Sequence, residues 1–424
     1  MTKNKKVAVI GAGISGVSCA QILQQNNIDV IVYEGMPKCG GLIKCSIHDG
    51  FLFHRVGGHV FNSKNNEVSS WFWAHFNKET EFIRAERNAS IYLDNMFIDY
   101  PIENNIYKLP QNTAQKIIRE LLLLSQSIST EYDNLESFLL NTFGSTLYNL
   151  YFKPYNEKIW NGPLTSIPLK WLDGKLPMPN LQEIFEHNIF RSAEKNMVHS
   201  CFYYPVSNGS QFIIDRLSYG LNIVKNTFIN NFEFCNKRNA WIINEQYYDS
   251  VIYTGDVRRL SLSMLTTSSN KIREALQACR YLRSNGTSNL LCKRDKSPYS
   301  WIYFPEKKYK AHRVINTGNF SITNNNSEQE SSCVLEFSGK WSHNDMCSES
   351  RFVPGIISPI ASNYEENSYI IHDNSTEKLL TELRILLNSY SFFLCGRFSE
   401  WQYYNMDKAI ESALSVAGLV SRSL

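Results

Sequence analysis

Lys6-Val7-Ala8-Val9-Ile10-Gly11-Ala12-Gly13-Ile14-Ser15-Gly16 is the stretch that decides the fold. Four apolar residues after Lys6 run into a Gly-x-Gly-x-x-Gly turn, and Val17, Ala20 and Leu23 then continue at helical spacing. Asp29 to Tyr33 predicts a second strand that ends at Glu34, eighteen residues past Gly16. Strand, turn, helix, strand and acid in this order and at these lengths predict a nucleotide-binding βαβ unit. Gly11 permits the tight turn, Gly13 lets the backbone approach a pyrophosphate, and Gly16 brings helix and strand together. The helix N-terminus, with Ser15 in its first turn, offers N–H groups to the anion. Glu34 is placed to accept from ribose hydroxyls. By itself the unit suits NAD(P) or FAD.

Outward from this unit, 424 residues allow two or three domains. A 43% hydrophobic and 20% charged composition is that of a folded protein and excludes a disordered chain. Forty-three basic against 40 acidic residues leave a charge of +3, too weak a field for a general nucleic-acid binder. The run Val7 to Ile10 is too short for a signal-peptide core, and no stretch of about 18 apolar residues predicts a membrane span. Ten scattered cysteines, with no CxxC pair and no zinc-ligand spacing, predict reduced thiols in a cytoplasmic protein and no metal site.

From Asn112 to Trp160 the pattern is helical: Ile117, Ile118, Leu121 and Leu122 form a stripe, and Asp133 with Glu136 reads as a capping box. Short β-like runs follow at Asp249 to Thr254, Ser288 to Cys292, Trp301 to Phe304, His312 to Asn316 and Cys333 to Phe337. The polar stretch from Asn319 to Ser332 predicts an exposed loop. Phe392 to Cys395 reads as a strand, and Lys408 to Leu419 has helical periodicity. The expected class is α/β. A Rossmann-like domain spans 1–75, 205–260 and 390–424, with an inserted helical domain at 108–195 and an antiparallel sheet domain at 76–107 plus 261–389.

Three further features bear on the cofactor. Gly40-Gly41-Leu42 lies just past Glu34, Tyr253-Thr254-Gly255-Asp256 ends a later strand, and Gly396-Arg397 precedes the last helix. Together they resemble the glutathione-reductase-like FAD family, in which distant pieces of chain close over one extended cofactor. The resemblance implies FAD, with the helix from Met406-Asp407 aiming its positive end at the flavin pyrimidine.

Five segments narrow the chemistry: Arg55-Val56-Gly57-Gly58-His59-Val60-Phe61, Tyr100-Pro101-Ile102-Glu103-Asn104-Asn105, Tyr151-Phe152-Lys153-Pro154-Tyr155-Asn156-Glu157-Lys158-Ile159-Trp160, Trp301-Ile302-Tyr303-Phe304-Pro305 with Arg313, and Gly396-Arg397 through Tyr403, Asn405, Met406 and Asp407. Taken singly, His59 reads as a structural histidine and the aromatics at 151, 155 and 160 as helix-packing residues. Together the five resemble the UDP-galactopyranose mutases. That resemblance implies that Gly57, Gly58 and His59 lie against the isoalloxazine, and that Asn405 and Met406 meet it at the helix start. It further implies that Tyr151, Tyr155, Asn156 and Trp160 receive the uridine, with Tyr100 and Glu103 nearby, while Trp301, Tyr303, Arg313 and Tyr403 face the diphosphate. A planar guanidinium can bind two phosphoryl oxygens at once, and a phenol adds a neutral donor.

Four positions depart from the family pattern. Glu103 replaces a glutamine, Asn405 stands where bacterial members have aspartate, and Phe320 stands near a substrate-facing tyrosine of the fungal members. Lys175 stands where a mobile loop carries an arginine, keeping the charge and losing the fork.

The implied activity is conversion of a nucleotide-linked pyranose to its furanose, with N5 of reduced FAD attacking the anomeric carbon. Such an enzyme requires an external or NAD(P)H-derived reductant, involves neither nucleic acid nor membrane insertion, and feeds polysaccharide synthesis. A homo-oligomer stays open. The alternative is an FAD-dependent oxidoreductase of the amine-oxidase or protoporphyrinogen-oxidase type, which shares the two-domain architecture.

Overall fold

The computed structural model describes residues 5–126, 132–169, 181–191, 201–262, 269–373 and 375–423. A five-stranded parallel sheet runs in the order Phe392–Leu394, Ser250–Tyr253, Lys6–Ile10, Asp29–Tyr33, Asn222–Val224. Its strands alternate between two cores, as the two-residue period of a strand requires. Val7, Val9, Val32 and Ile252 pack with Val17 and Ala20 of helix Ile14–Gln25 and with Ile410 and Ala413 of helix Met406–Ser423. Ala8, Ile10, Ile31 and Val251 face the other way, onto Trp241, Leu276 and Leu383. The first helix closes tightly over the turn that precedes it because Gly16 has no side chain: a Cβ there would sit 1.9 Å from the Gly11 carbonyl oxygen.

The second sheet has seven strands, in the order Ile356–Ile371, Arg283–Arg294, Ser331–Ser338, Arg313–Ile315, Trp301–Tyr303, Ala89–Leu93, Met96–Asp99. It is antiparallel except where Trp301–Tyr303 runs parallel to Ala89–Leu93. One face meets the helical layer, where Ile91, Trp301, Tyr303 and Ile315 share a core with Ile117, Leu121, Phe138 and Leu139. The other face is closed by Met346 of helix His343–Ser350.

Three local expectations change. Helix Leu135–Leu147 is capped by Asn134, whose side chain accepts from Ser137 N, while Glu136 accepts from the Tyr148 hydroxyl at 2.6 Å. The stretch after Asn319 is exposed at Ile322, Thr323, Glu328 and Gln329, as expected, but it is pinned down by Asn324, which is fully buried and donates to the Tyr204 hydroxyl at 2.9 Å. Helices Asn270–Cys279 and Thr376–Asn388 fall inside the sheet domain by the sequence boundaries, yet they pack on the parallel sheet. All ten cysteines are free thiols. Among the described residues no helix is long and apolar enough to cross a membrane, and no cluster could hold a metal.

Candidate functional site

A cavity of about 640 Å³ runs between the two sheets, within the range of small-molecule sites. Its first end is made of main chain. Gly11, Gly13, Ser15, Gly40, Gly41 and Leu42 line it, with Gly255 across from them. The loop is held shut by Gly40 N donating to Ala12 O at 2.9 Å. Gly396 supports the floor without lining it: its φ of +91° suits glycine, and a Cβ there would meet Ser15 Oγ at 2.4 Å. The Glu34 carboxylate accepts from Ala12 N and Met36 N, both at 2.8 Å, so the turn itself fixes its orientation. A carboxylate has about four acceptor positions, so Glu34, which lines the cavity, keeps acceptors for hydroxyl donors.

At the middle of the cavity lie Gly57, Gly58 and His59, facing Arg397, Asn405 and Met406. His59 Nε2 is buried and has no hydrogen-bond partner among the described residues. Burial, followed by the Arg397 charge, pushes the His59 pKa down to about 4, so the imidazole is neutral at pH 7. Met406 and Ala409 bring the first turn of the last helix to the cavity wall, where its N–H groups favour negative charge.

The far end is made of side chains. Arg313 stands directly across from Glu336 on neighbouring antiparallel strands. Its Nε donates to Glu336 Oε2 at 2.8 Å, Nη2 donates to the same oxygen, and the Tyr369 hydroxyl donates to Oε1 at 2.9 Å. Burial works against the Glu336 charge, yet Arg313 and then His312 hold the carboxyl below its usual range. Among the described residues only Nε and Nη2 of Arg313 are engaged, so Nη1 is left for a ligand. Tyr403 carries the Arg397 guanidinium on its ring at 4.0 Å and stacks on Tyr369 at 5.8 Å. Trp301 and Tyr303 complete this wall.

Several expected site residues lie elsewhere. Phe320 is a correction: it is 1% exposed, packs against Tyr204, Phe202 and Trp301, and stands behind Gly58, whose added Cβ would meet its ring at 3.1 Å. Glu103, 2% exposed, also does not line the cavity, and neither does Gly16 or Tyr100. Tyr151 and Tyr155 stack on each other at 5.5 Å, and Tyr155 meets the edge of Tyr303 at 5.4 Å. Trp160 packs against Tyr369 and Tyr403. The Asn156 amide is used locally, accepting from Trp160 Nε1 and donating to Phe152 O. Tyr155 and Trp160 thus pack against Tyr303, Tyr369 and Tyr403, with Tyr151 stacked on Tyr155 and Asn156 bonded to Trp160. Lys158 fastens this helix by donating to the carbonyls of Phe304, Glu306 and Tyr309 at 2.7, 2.6 and 2.7 Å. Lys175 lies outside the described residues.

Arg87, Glu336 and Tyr369 line the cavity and escaped the sequence reading. For Glu336 a signal existed, a single acid within Val334-Leu335-Glu336-Phe337, where an unpaired charge would be costly.

Comparison with known proteins places the chain among relatives. Residues 9–76 match the NAD(P)-binding Rossmann-like domain family. Over 95% of its length the chain is 22% identical to the UDP-galactopyranose mutase of Mycoplasma genitalium, covering 92% of that protein. It is also 27% identical to the dTDP-fucopyranose mutase of Escherichia coli over 181 residues, 41% of this chain and 46% of that one. A crystal structure of reduced UDP-galactopyranose mutase superposes with a TM-score of 0.88 at 20% identity, covering 99% of this chain and 96% of the other. The likeness to the UDP-galactopyranose mutases thus extends over nearly the full chain, and the fold is shared.

Proposed function

We propose that the protein is an isomerase, a flavin-dependent mutase that converts a nucleotide-diphosphate pyranose, UDP-galactopyranose or a close analogue, to the furanose. The observation that carries this reading is one continuous cavity joining a glycine-lined dinucleotide cradle to a wall of Trp301, Tyr303, Arg313 and Tyr403. Such a cavity holds a cofactor and an anionic ligand end to end. FAD suits the cradle: Glu34 presents acceptors to a ribose, the Gly11 to Ser15 turn presents a helix N-terminus to a pyrophosphate, and His59 Nε2 lacks a partner that a ring heteroatom would supply. Bound in its reduced form, FAD would supply a nucleophilic nitrogen for the anomeric carbon.

The chain's own residues would bind, orient and shield. Arg313, with Nε and Nη2 held by Glu336, presents Nη1 to a phosphoryl oxygen and stabilises the charge that develops as the diphosphate leaves. Glu336 fixes the guanidinium so that little orientational freedom is lost on binding. Tyr303 and Tyr403 add neutral donors, and the aromatic layer behind them, Tyr155 and Trp160, keeps water from the wall. His59, neutral at pH 7, exchanges a hydrogen bond and not a charge.

The test is turnover. Purified protein, reduced with dithionite without air, is given UDP- and dTDP-linked sugars, and pyranose is separated from furanose by chromatography. Conversion by reduced protein alone is expected. A flavin-bearing protein that isomerises no nucleotide sugar would contradict the reading.

A further inference from the structure

The side-chain wall holds a second arginine. Arg87 lies between strands Phe82–Glu86 and Ala89–Leu93 and lines the cavity with Tyr303 and Arg313. Its guanidinium sits 5.2 Å from the ring centre of Tyr100 and 5.5 Å from that of Trp301. Two aromatic faces therefore limit the orientations open to it. From this position Nη2 donates to the Tyr303 phenol oxygen at 2.5 Å. Tyr303 in turn pairs across the sheet with Arg313, so one strand pair carries two of the groups that the mutase reading turns toward a diphosphate.

The direction of that hydrogen bond has a chemical consequence. A phenol has one O–H to donate and lone pairs to accept with, whereas a guanidinium can only donate. Arg87 thus occupies the acceptor side of Tyr303, and the single hydroxyl hydrogen must go to another acceptor. Among the described residues the Tyr303 hydroxyl makes no other hydrogen bond. A cationic donor upstream also polarises the O–H downstream, which strengthens the bond that it gives.

We propose that Arg87 is a positioning residue that commits the Tyr303 phenol to donate to a phosphoryl oxygen of the nucleotide sugar. This rests on the mutase reading above and assigns the direction of one of its contacts. It predicts a dependence between two residues: Arg87 matters for nucleotide binding to the extent that Tyr303 has its hydroxyl.

The experiment is a double-mutant cycle on the oxidised holoprotein, with UDP as the probe and calorimetry as the readout. Arg87→Met should weaken UDP binding roughly tenfold, the scale expected for losing a charge-assisted hydrogen bond. Arg87→Lys should recover part of that loss. In a Tyr303→Phe background, Arg87→Met should cost little more. Flavin absorbance reports folding of each variant; if Arg87→Met does not hold flavin, the same cycle runs with Arg87→Lys. Parent-like affinity in Arg87→Met, or losses that add fully in the double variant, would overturn the proposal while leaving the mutase reading intact. A flavin-bearing parent that binds no UDP would overturn both.

Discussion

The two ends of the cavity are built by different means. At the dinucleotide end, main-chain atoms and glycines from residues 11–16 and 40–42 do the work, and even the Glu34 carboxylate is oriented by two backbone amides. At the other end Arg87, Tyr303, Arg313, Glu336, Tyr369 and Tyr403 arrive from six places in the chain, and the pairing of strands brings Tyr303, Arg313 and Glu336 together. A main-chain site is made by local turns, so it leaves a compact motif. A side-chain site is made by a sheet, so each contributor looks ordinary until the strand order is known.

The contrast can be broken most directly at Gly16. Gly16→Val places a branched side chain where even a Cβ lies 1.9 Å from a backbone carbonyl, and no flexible neighbour can give way. Loss of flavin-bearing, folded protein is expected by visible absorbance and thermal melting; a yellow, stable variant would show that the main-chain end tolerates side chains after all.

At the other end, Glu336→Ala strands a cavity-lining arginine beside a cavity in the sheet. It should cost about 3–5 kcal/mol in denaturant unfolding, as expected when one partner of a buried ion pair is removed, and flavin should still bind. Arg313→Ala should likewise leave the protein yellow and abolish turnover, since the diphosphate loses the guanidinium charge and the Nη1 donor. Near-normal turnover in Arg313→Ala would remove the division of labour between the two ends.

Phe320 offers a smaller effect. Because its ring lies behind Gly58 and not in the cavity, Phe320→Leu should lower stability by about 1 kcal/mol and leave the ranking of nucleotide sugars unchanged. A changed ranking would return Phe320 to the sugar pocket.

A separate effect concerns pH. Burial lowers the pKa of His54 to about 3 and of His59 and His312 to about 4, and none of the three lies on the glycine turn. In the unfolded chain a histidine takes up its proton near pH 6.5. Between that value and about 4 the unfolded state binds more protons, so stability falls as the pH is lowered through this window. Melting temperatures should decline from pH 7 to 4.5, and a flat profile would contradict the buried, neutral histidines.

These differences also explain what the sequence could and could not say. The βαβ unit, the later parallel strands and the closing helix are legible because each follows from local spacing. The sixteen-residue strand Ile356–Ile371 is not: Ser358, Ser362, Asn363, Glu365 and Asn367 give it the look of a loop, and it holds together through pairing with Arg283–Arg294. Tyr369 was lost with it. Helical spacing correctly places Tyr151 and Tyr155 on one face, but periodicity cannot tell whether a face meets a ligand or another layer of protein. Phe320 shows the same gap, since standing near a substrate-facing tyrosine of the family does not fix which way its ring points. Arg87 sits between two strands, where the short turn gives no sign that its side chain bridges Tyr100, Trp301 and Tyr303.

The central claim is that one cavity holds the flavin and the nucleotide sugar together. Titrating UDP-galactose into the oxidised holoprotein while recording the flavin visible spectrum tests it most directly. A saturable spectral change in the parent protein, absent in Arg313→Ala, is the expected result. A colourless protein, or calorimetric binding of the sugar nucleotide with an unmoved flavin spectrum, would contradict it.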